Sequence, residues 1–289
     1  MKLQIPVSDF SIKYTFESAQ PLTFYADSDP VDNSIVFPYG DGIVRARFSG
    51  NTRSGMLTVE NVYGEAKLGK KEFEALFRIN DDMQHIYSRI ASDRFMESAI
   101  NRYRGMRLTL NDPWVTTLAF LVSQFNNIKR IRRIVKCLME RFGDDITYNG
   151  TIVGKTFPSI DALAHASVSD ISRCGAGFRA EYIKRSADYC LYNINLEKLK
   201  GKSYEKIKQS LLELRGVGDK VADCIALMGY GKLEAFPIDT WIKRTVENIY
   251  FNKRKKTIKE IHKFAEEKWD GLAGYAQQYL YWHGMHYLR

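Results

Sequence analysis

Hydrophobic and polar positions alternate along much of the first 90 residues, which is the period of an antiparallel strand. Gly, Pro, Asp and Asn separate the segments that carry this alternation or contain clusters of β-branched and aromatic residues. These segments are FSIKYTF, LTFYA, SIVFPYG, GIVRARFSG and GMLTVENVYG. The pattern predicts an antiparallel sheet of about five strands, with a covering helix near Gly69–Arg78.

From Asp81 onward, apolar residues recur with the 3.6-residue period of amphipathic helices. The segment DPWVTTLAFLVSQ begins with Asp112 as a candidate N-cap, followed by Pro113 at the first helical position. A basic amphipathic segment, NNIKRIRRIVKCLMERFG, follows and ends at Gly143. Residues 144–158 are predicted to form a loop or a small hairpin, because Gly and Pro recur there.

The change of pattern near residue 90 is the one candidate domain boundary in the sequence. We expect residues 1–90 to form an antiparallel sheet domain, packed against a helical domain of residues 91–289. The predicted fold class is therefore α+β, with an N-terminal antiparallel β-sheet domain followed by a mainly α-helical domain.

The formal net charge of +9 is compatible with a polyanionic partner. Between Gln124 and Arg141 there are six Lys or Arg and one acid, although a solvated helix face explains such a run equally well. No apolar run approaches 18 residues, so no membrane span is expected. The N-terminus lacks the features of a signal peptide, which predicts an intracellular protein, cytoplasmic in a prokaryote and nuclear in a eukaryote.

The four cysteines form no C-x-x-C pair, and the five histidines are scattered. The spacing predicts neither a metal site nor a cofactor. Reduced thiols are the expectation in a cytosol-like compartment.

The stretch Leu211–Asp239 concentrates the candidate chemistry. Gly216, Val217 and Gly218 form a Gly-x-Gly turn between two helical patterns. The glycines allow close backbone approach, and the unpaired N–H groups at the start of the second helix favour phosphate. Taken alone, this turn could equally be a structural connection between helices.

Lys220 falls in the first turn of the second helix, where its charge opposes the helix dipole unless an anion is bound. A helix over residues 219–229 would be ~16 Å long, and the chain from Tyr230 to Ile238 can span up to ~30 Å. Asp239 can therefore return to the start of that helix. Because Asp239 precedes TWIKRTVENIY, local sequence also predicts it as an N-cap, and the two roles are compatible.

Helix, G-V-G, helix and a downstream P-x-D resemble the helix-hairpin-helix DNA glycosylase superfamily. KVADCIALM followed by FPID resembles the 8-oxoguanine DNA glycosylase/AP lyase branch. The resemblance extends to GMRLTLNDPWVTTLAFLVSQFNNIKRI, CGAGFRAEYI and GYAQQYLYW, and covers residues from about 105 to 285.

The resemblance implies that Lys220 attacks C1′ of the nucleotide as the damaged base leaves, which gives a Schiff base and then β-elimination. Asp239 would stabilise the positive charge that develops on the sugar. Cys224 and Met228 share a helix face with Lys220, which the pattern alone explains as core packing. The resemblance places them in the base pocket, with Cys224 stacking on the base.

The same resemblance completes the pocket with three further residues. Gln277 would bond the Watson–Crick edge of the base, and Tyr281 would stack on its other face. Ala19 stands where the family has a glycine whose carbonyl reads the N7 hydrogen of the oxidised purine.

On the opposite strand, the resemblance implies that Arg130 and Arg179 contact the estranged cytosine, whereas the pattern alone explains them as solvent-exposed charge. Asn127 belongs to the same DNA-contacting segment. Phe125 replaces an asparagine that fills the gap left by the flipped base, and Phe178 replaces a tyrosine wedge. These two changes predict looser discrimination of the opposite base.

Two further features bear on the branch of the family. Trp241 replaces a histidine that often contacts phosphate, and its indole N–H can still donate one hydrogen bond. No cysteine follows Cys224, which argues against the iron–sulfur branch, and Lys220 argues against the alkylated-base branch.

The sequence therefore predicts a monomeric, bifunctional enzyme that excises 8-oxoguanine from duplex DNA and cleaves the abasic strand. A monofunctional glycosylase for another damaged purine is one alternative. A non-catalytic helix-hairpin-helix DNA-binding protein is the other.

Overall fold

The computed structural model describes residues 2–287 of the 289-residue chain, with side chains up to His286. The strands are β1 Lys2–Val7, β2 Asp27–Asp29, β3 Ser34–Tyr39, β4 Gly42–Asn51, β5 Ser54–Gly64, β6 Asp145–Tyr148 and β7 Thr151–Lys155. The helices of the N-terminal part are α1 Ile12–Glu17, α2 Pro21–Tyr25, α3 Lys70–Leu76 and α4 Met83–Ile90.

The helices from residue 94 onward make up most of the remaining chain. They are α5 Arg94–Arg102, α6 Pro113–Ser123, α7 Ile128–Phe142, α8 Ile160–His165, α9 Val168–Ile171, α10 Arg179–Tyr192, α11 Tyr204–Leu212, α12 Asp219–Tyr230, α13 Thr240–Tyr250, α14 Ile258–Lys268 and α15 Ala273–Tyr287. A π-helical turn, Ser172–Ala176, precedes α10, and a 3-10 helix, Leu196–Leu199, follows it.

The N-terminal sheet has the strand order β1-β5-β4-β3-β2, and every neighbouring pair is antiparallel. β4 alternates buried and partly exposed residues from Gly42 to Phe48, as expected for a sheet with one covered face. The helix α3 lies within the predicted range of residues 69–78. The α+β fold class is confirmed, since a mainly helical region follows the sheet.

Two segments that the alternation predicts as strands are helices instead. FSIKYTF contains α1, whose N-cap Ser11 accepts a hydrogen bond from the backbone N–H of Tyr14 at 3.3 Å. LTFYA lies in α2, which begins at Pro21. A cap and a proline at the first helical position outweigh the strand preference of aromatic and β-branched residues over such short segments. The sheet still has five strands, because β1 and β2, which the pattern did not predict, take the place of these two segments.

The helical region has its own large apolar core, to which α4 already contributes Met83 and Ile90. The boundary near residue 90 remains a prediction, and residues 288 and 289 of the predicted domain lie outside the described range. Asp112 caps α6, with Pro113 at its first position, as predicted. The hairpin predicted within residues 144–158 is formed by β6 and β7.

The buried Arg107 joins the sheet region to the helical region. Its guanidinium donates hydrogen bonds to the backbone carbonyls of Ser8, Asp9, Arg78 and Asp81. Charged donors on carbonyl acceptors form strong hydrogen bonds, so this joint fixes how the two regions meet. None of the helices in residues 2–287 is long and apolar enough to cross a membrane.

Candidate active site

The turn between α11 and α12 has the geometry that its glycines predict. Gly216 has φ +85°, and a Cβ atom there would lie 2.4 Å from the ring of Tyr182. Glycine is therefore required for conformation and for space. Gly218 is the N-cap of α12 and supplies no side chain to its first N–H groups. Phosphate binding at this turn remains a prediction.

Side chains from two other helices hold the turn in place. Gln124, which follows α6, donates from Nε2 to the carbonyl of Gly216 at 3.1 Å. Ser186 on α10 donates from Oγ to the carbonyl of Arg215 at 2.9 Å. Val217 is buried. The turn is thus a fixed part of the helical core.

A cavity of about 530 Å³, called the pocket below, opens beside the start of α12. Elements far apart in sequence supply its walls: the segment between α1 and α2, the helices α6, α7 and α12, the start of α13, and α15. The predicted site residues that line it are Ala19, Asn127, Lys220, Cys224, Met228, Asp239, Trp241, Gln277 and Tyr281. The structure therefore brings the predicted nucleophile, carboxylate and base-contacting residues into one cavity, while their roles remain predictions.

Lys220 is partly buried in the first turn of α12, as predicted. Its Nζ lies 5.2 Å from the centroid of the Phe120 ring, within cation–π range. Burial raises the pKa of Cys224 to about 11, although the charge of Lys220 opposes the rise. The thiol is therefore neutral near pH 7, and a neutral thiol is a weak nucleophile.

Asp239 is the N-cap of α13, as local sequence predicts. Its Oδ1 accepts the backbone N–H of Ile242 at 2.7 Å, which fixes the carboxylate at the pocket wall. Burial raises the pKa of Asp239 above its ordinary value, and the Ile242 hydrogen bond and the Lys220 charge oppose that rise.

On α15, Gln277 is only 6% exposed, and its Oε1 is buried with no hydrogen-bond partner in the described part of the chain. A buried acceptor without a partner costs roughly 1–3 kcal/mol, a cost that a bound donor would remove. Tyr281 lies one turn further along α15. Burial raises its pKa, with a smaller contribution from the charge of Asp239, so the phenol is neutral.

The Ala19 loop (residues 18–20) forms another wall of the pocket. Ala19 has φ +59°, in the left-handed region that favours glycine. Gln278 donates from Nε2 to the carbonyl of Ser18 at 2.6 Å. The fully buried Gln20 donates to the carbonyl of Arg107 at 2.9 Å and accepts the backbone N–H of Thr109 at 2.7 Å.

Gln20 and Gln278 were not identified from the sequence. A single glutamine next to a loop carries no periodic signal of burial, and glutamine is mostly an exposed residue type. Only the three-dimensional contacts show that these two side chains determine where the backbone of Ala19 lies.

The residues predicted to contact the opposite strand include two phenylalanines, Phe125 and Phe178, and two polar residues at the start of α7, Asn127 and Arg130. Phe125 is 93% exposed and has φ +46°, and Phe178 is 51% exposed. Their ring centroids are 6.4 Å apart, so they form one surface feature, called the aromatic pair below. Arg130 is exposed and donates to the carbonyl of Gly175 at 3.2 Å. Asn127 caps α7 through a 3.0 Å bond from the backbone N–H of Arg130.

Arg179 departs from the expectation of solvent-exposed charge, since only 2% of it is exposed. Its guanidinium is occupied by backbone carbonyls. A contact between Arg179 and cytosine remains a prediction.

Trp241 lies at the second position of α13 and lines the pocket, and its contact with phosphate is likewise a prediction. In residues 2–287 there is no group of three or more His, Cys, Asp or Glu that could hold a metal ion.

The comparisons with known proteins agree with this geometry. The chain is similar over 97% of its length to a probable N-glycosylase/DNA lyase of Methanothermobacter thermautotrophicus, with 28% identity and 95% of that protein covered. A solved complex of MBOgg1 with a low-affinity DNA ligand has 34% identity and a TM-score of 0.89, covering 100% of this chain and 96% of that one.

Another similar structure is the Clostridium acetobutylicum 8-oxoguanine glycosylase/lyase in complex with double-stranded DNA containing cytosine opposite 8-oxoguanine. The identity is 26% and the TM-score 0.87, covering 100% of this chain and 99% of that one. The family model of the HhH-GPD superfamily base excision DNA repair proteins matches residues 118–270. That match spans more than half of the chain, and the chain therefore belongs to the HhH-GPD superfamily of base excision DNA repair proteins.

Proposed function

We propose that this protein is a bifunctional 8-oxoguanine DNA glycosylase and AP lyase that acts on duplex DNA. The observation that carries the proposal is the shared pocket, in which a lysine amine, a capping carboxylate and an unsatisfied glutamine oxygen meet. The full-length similarity to the DNA-bound C. acetobutylicum enzyme supports the choice of lesion.

The base must first leave the stack, at a cost of a few kcal/mol. Inside the pocket, Oε1 of Gln277 accepts a hydrogen bond from the N–H groups on the Watson–Crick edge of the purine, which removes the cost of its burial. The carbonyl of Ala19 accepts the N7 hydrogen, which 8-oxoguanine has and guanine lacks. Cys224 and Tyr281 are neutral because burial raises the pKa of each, and both pack against the base.

The glycosidic bond then breaks, and its electron pair leaves with the base. Asp239, held as an N-cap, stabilises the positive charge that develops on the sugar. The lone pair of the Lys220 amine forms a bond to C1′, and the proton that the nitrogen then loses is transferred to the departing base. Opening of the sugar ring gives an imine, loss of a C2′ proton follows, and the 3′ phosphate leaves in β-elimination.

Borohydride trapping on a duplex with 8-oxoguanine opposite cytosine tests this proposal. Wild-type protein is expected to form a covalent adduct, because borohydride reduces the imine. Lys220→Gln is expected to lower adduct formation by about 10³-fold or more, as for loss of a catalytic nucleophile. Lys263→Gln is the matched control, since Lys263 is exposed and its Nζ lies 3.7 Å from Glu267.

Three outcomes would contradict parts of the proposal. Equal trapping by Lys220→Gln would exclude Lys220 as the nucleophile. Base release without strand cleavage by wild-type protein would favour the monofunctional glycosylase. DNA binding without release of any base would favour the non-catalytic alternative.

A further inference from the structure

The aromatic pair needs structural support that its own residues do not supply. Phe125 is almost fully exposed, and its backbone is in the left-handed region, which costs free energy for a residue with a Cβ atom. Exposing its ring to water is also unfavourable. Such a conformation persists only where neighbouring groups fix it.

Arg179 supplies that support from beneath the pair. Its Nε donates to the carbonyl of Gln124 at 2.7 Å, and its Nη2 donates to the carbonyls of Gln124 and Phe125, the latter at 3.0 Å. Its Nη1 donates to the carbonyl of Ala176 at 3.2 Å. The guanidinium carbon also lies 4.4 Å from the ring centroid of Phe178, a cation–π contact. One buried side chain therefore fixes both members of the aromatic pair.

The same network reaches the turn before α12. Gln124, whose carbonyl binds Arg179, uses its own side chain to donate to the carbonyl of Gly216. The aromatic pair is thus connected to the segment that carries Lys220 through two side chains, Arg179 and Gln124. These acceptors are backbone carbonyls, so the contacts do not depend on which base lies opposite the lesion.

We propose that Arg179 is a positioning residue that holds Phe125 and Phe178 in the duplex as the base leaves, rather than a residue that reads the opposite base. The inference rests on the proposed function and deepens it. The aromatic pair fills the vacated space by stacking, which every base permits, whereas hydrogen bonds from an arginine to cytosine would favour one base.

Single-turnover excision of 8-oxoguanine opposite each of the four bases tests the inference. Arg179→Ala and Phe125→Ala are each expected to lower the rate by about tenfold or more, and by similar factors for all four opposite bases. The double variant is expected to be no slower than the slower single variant, since both changes disable one unit. Arg185→Ala is the matched control, because Arg185 is an exposed arginine on the same helix that pairs with Glu181.

A second readout separates positioning from general loss of structure. With 2-aminopurine beside the lesion, both single variants should lose the fluorescence rise that accompanies unstacking. Both should still be trapped on a preformed abasic site, which has no base to remove from the stack. If Arg179→Ala fails to fold, as judged by its melting temperature, Arg179→Lys replaces it, since lysine keeps the charge but lacks the planar guanidinium that spans the carbonyls of Gln124, Phe125 and Ala176.

A loss confined to duplexes with cytosine would overturn the inference and assign Arg179 to reading the opposite base. Full activity of Arg179→Ala on all four duplexes would also overturn it. Failure of the proposed function gives a different result, because wild-type protein would then release no base from any duplex.

Discussion

The pocket and the aromatic pair belong to the same helical region but place opposite kinds of groups: the pocket buries polar groups, and the pair exposes apolar ones. The pocket encloses polar groups: a buried unsatisfied oxygen on Gln277, an amine, a carboxylate and a loop fixed by the side chains of Gln20 and Gln278. The aromatic pair presents apolar rings to solvent, and the backbone of Phe125 is in the left-handed region. Under the proposed function, recognition of the damaged base in the pocket depends on matched donors and acceptors, and insertion of the aromatic pair into the duplex depends on shape and stacking. From this difference we expect selectivity for the damaged base together with tolerance of the base opposite it.

After Lys220→Gln, the largest effect expected on the pocket side comes from Asp239→Asn. Asparagine keeps the N-cap of α13 but removes the charge, so excision should fall by about 100-fold while DNA binding is retained. Single-turnover excision and a binding titration measure the two quantities. Asp112→Asn is the matched control, since Asp112 also caps a helix. Unchanged excision by Asp239→Asn would remove the carboxylate from the chemistry.

The same substitution has a pH signature. Burial raises the pKa of Asp239 in the folded protein, so the unfolded chain loses this proton at lower pH than the folded protein. The free energy of unfolding therefore falls as the pH rises from the ordinary aspartate value through the raised one. Asp239→Asn should remove that contribution and be at least as stable as wild type at pH 7. Urea unfolding across pH measures this, and a less stable variant would show that the charged carboxylate stabilises the fold.

A smaller effect is expected from Gln20→Ala, which tests whether the pocket depends on its fixed wall. The change leaves the N–H of Thr109 and the carbonyl of Arg107 without Gln20, at a cost of roughly 1–3 kcal/mol each. Excision of 8-oxoguanine should fall by about tenfold, while trapping on a preformed abasic site changes by less than about threefold. Gln84→Ala is the control, because Gln84 donates to the Asp9 carboxylate instead. Equal losses of excision and of trapping would show that Gln20 stabilises the protein as a whole rather than the pocket wall.

The smallest effect is expected from Ala19→Gly. Glycine adopts φ +59° without strain, but it loses more backbone entropy on folding, so the free energy of unfolding should change by less than ~1 kcal/mol. Excision should remain near the wild-type rate, because the carbonyl stays in place. Thermal unfolding and single-turnover excision check both statements. A marked gain in excision would show that the alanine, rather than the surrounding hydrogen bonds, limits the pocket.

Sequence alone predicted the pocket better than the aromatic pair. The proximity of Lys220 and Asp239 followed from a helix length and a linker length, which are local quantities. The expectation for Arg179 was the least accurate, because a basic residue after a glycine-rich loop gives no sign that it will be buried and bonded to backbone carbonyls. The short helices α1 and α2 were missed for a related reason: five or six residues are too few to show a helical period.

Gln20 and Gln124 illustrate the remaining gap. Each also bonds a backbone carbonyl that lies 87 or 92 residues away along the chain, and no local pattern encodes such a pairing. What a single sequence does encode is the residue types that a chemistry needs and the spacing that lets them meet. It does not encode which polar side chains then hold the backbone around them.

The Ala19 loop has a further consequence during synthesis of the protein. Gln278, which holds the carbonyl of Ser18, is added to the chain 260 residues after that serine. At ~5–20 residues per second, that interval is on the order of 10–50 s. The Ala19 loop, which we propose faces the damaged base, therefore lacks one of its hydrogen bonds until α15 has been synthesised and has docked.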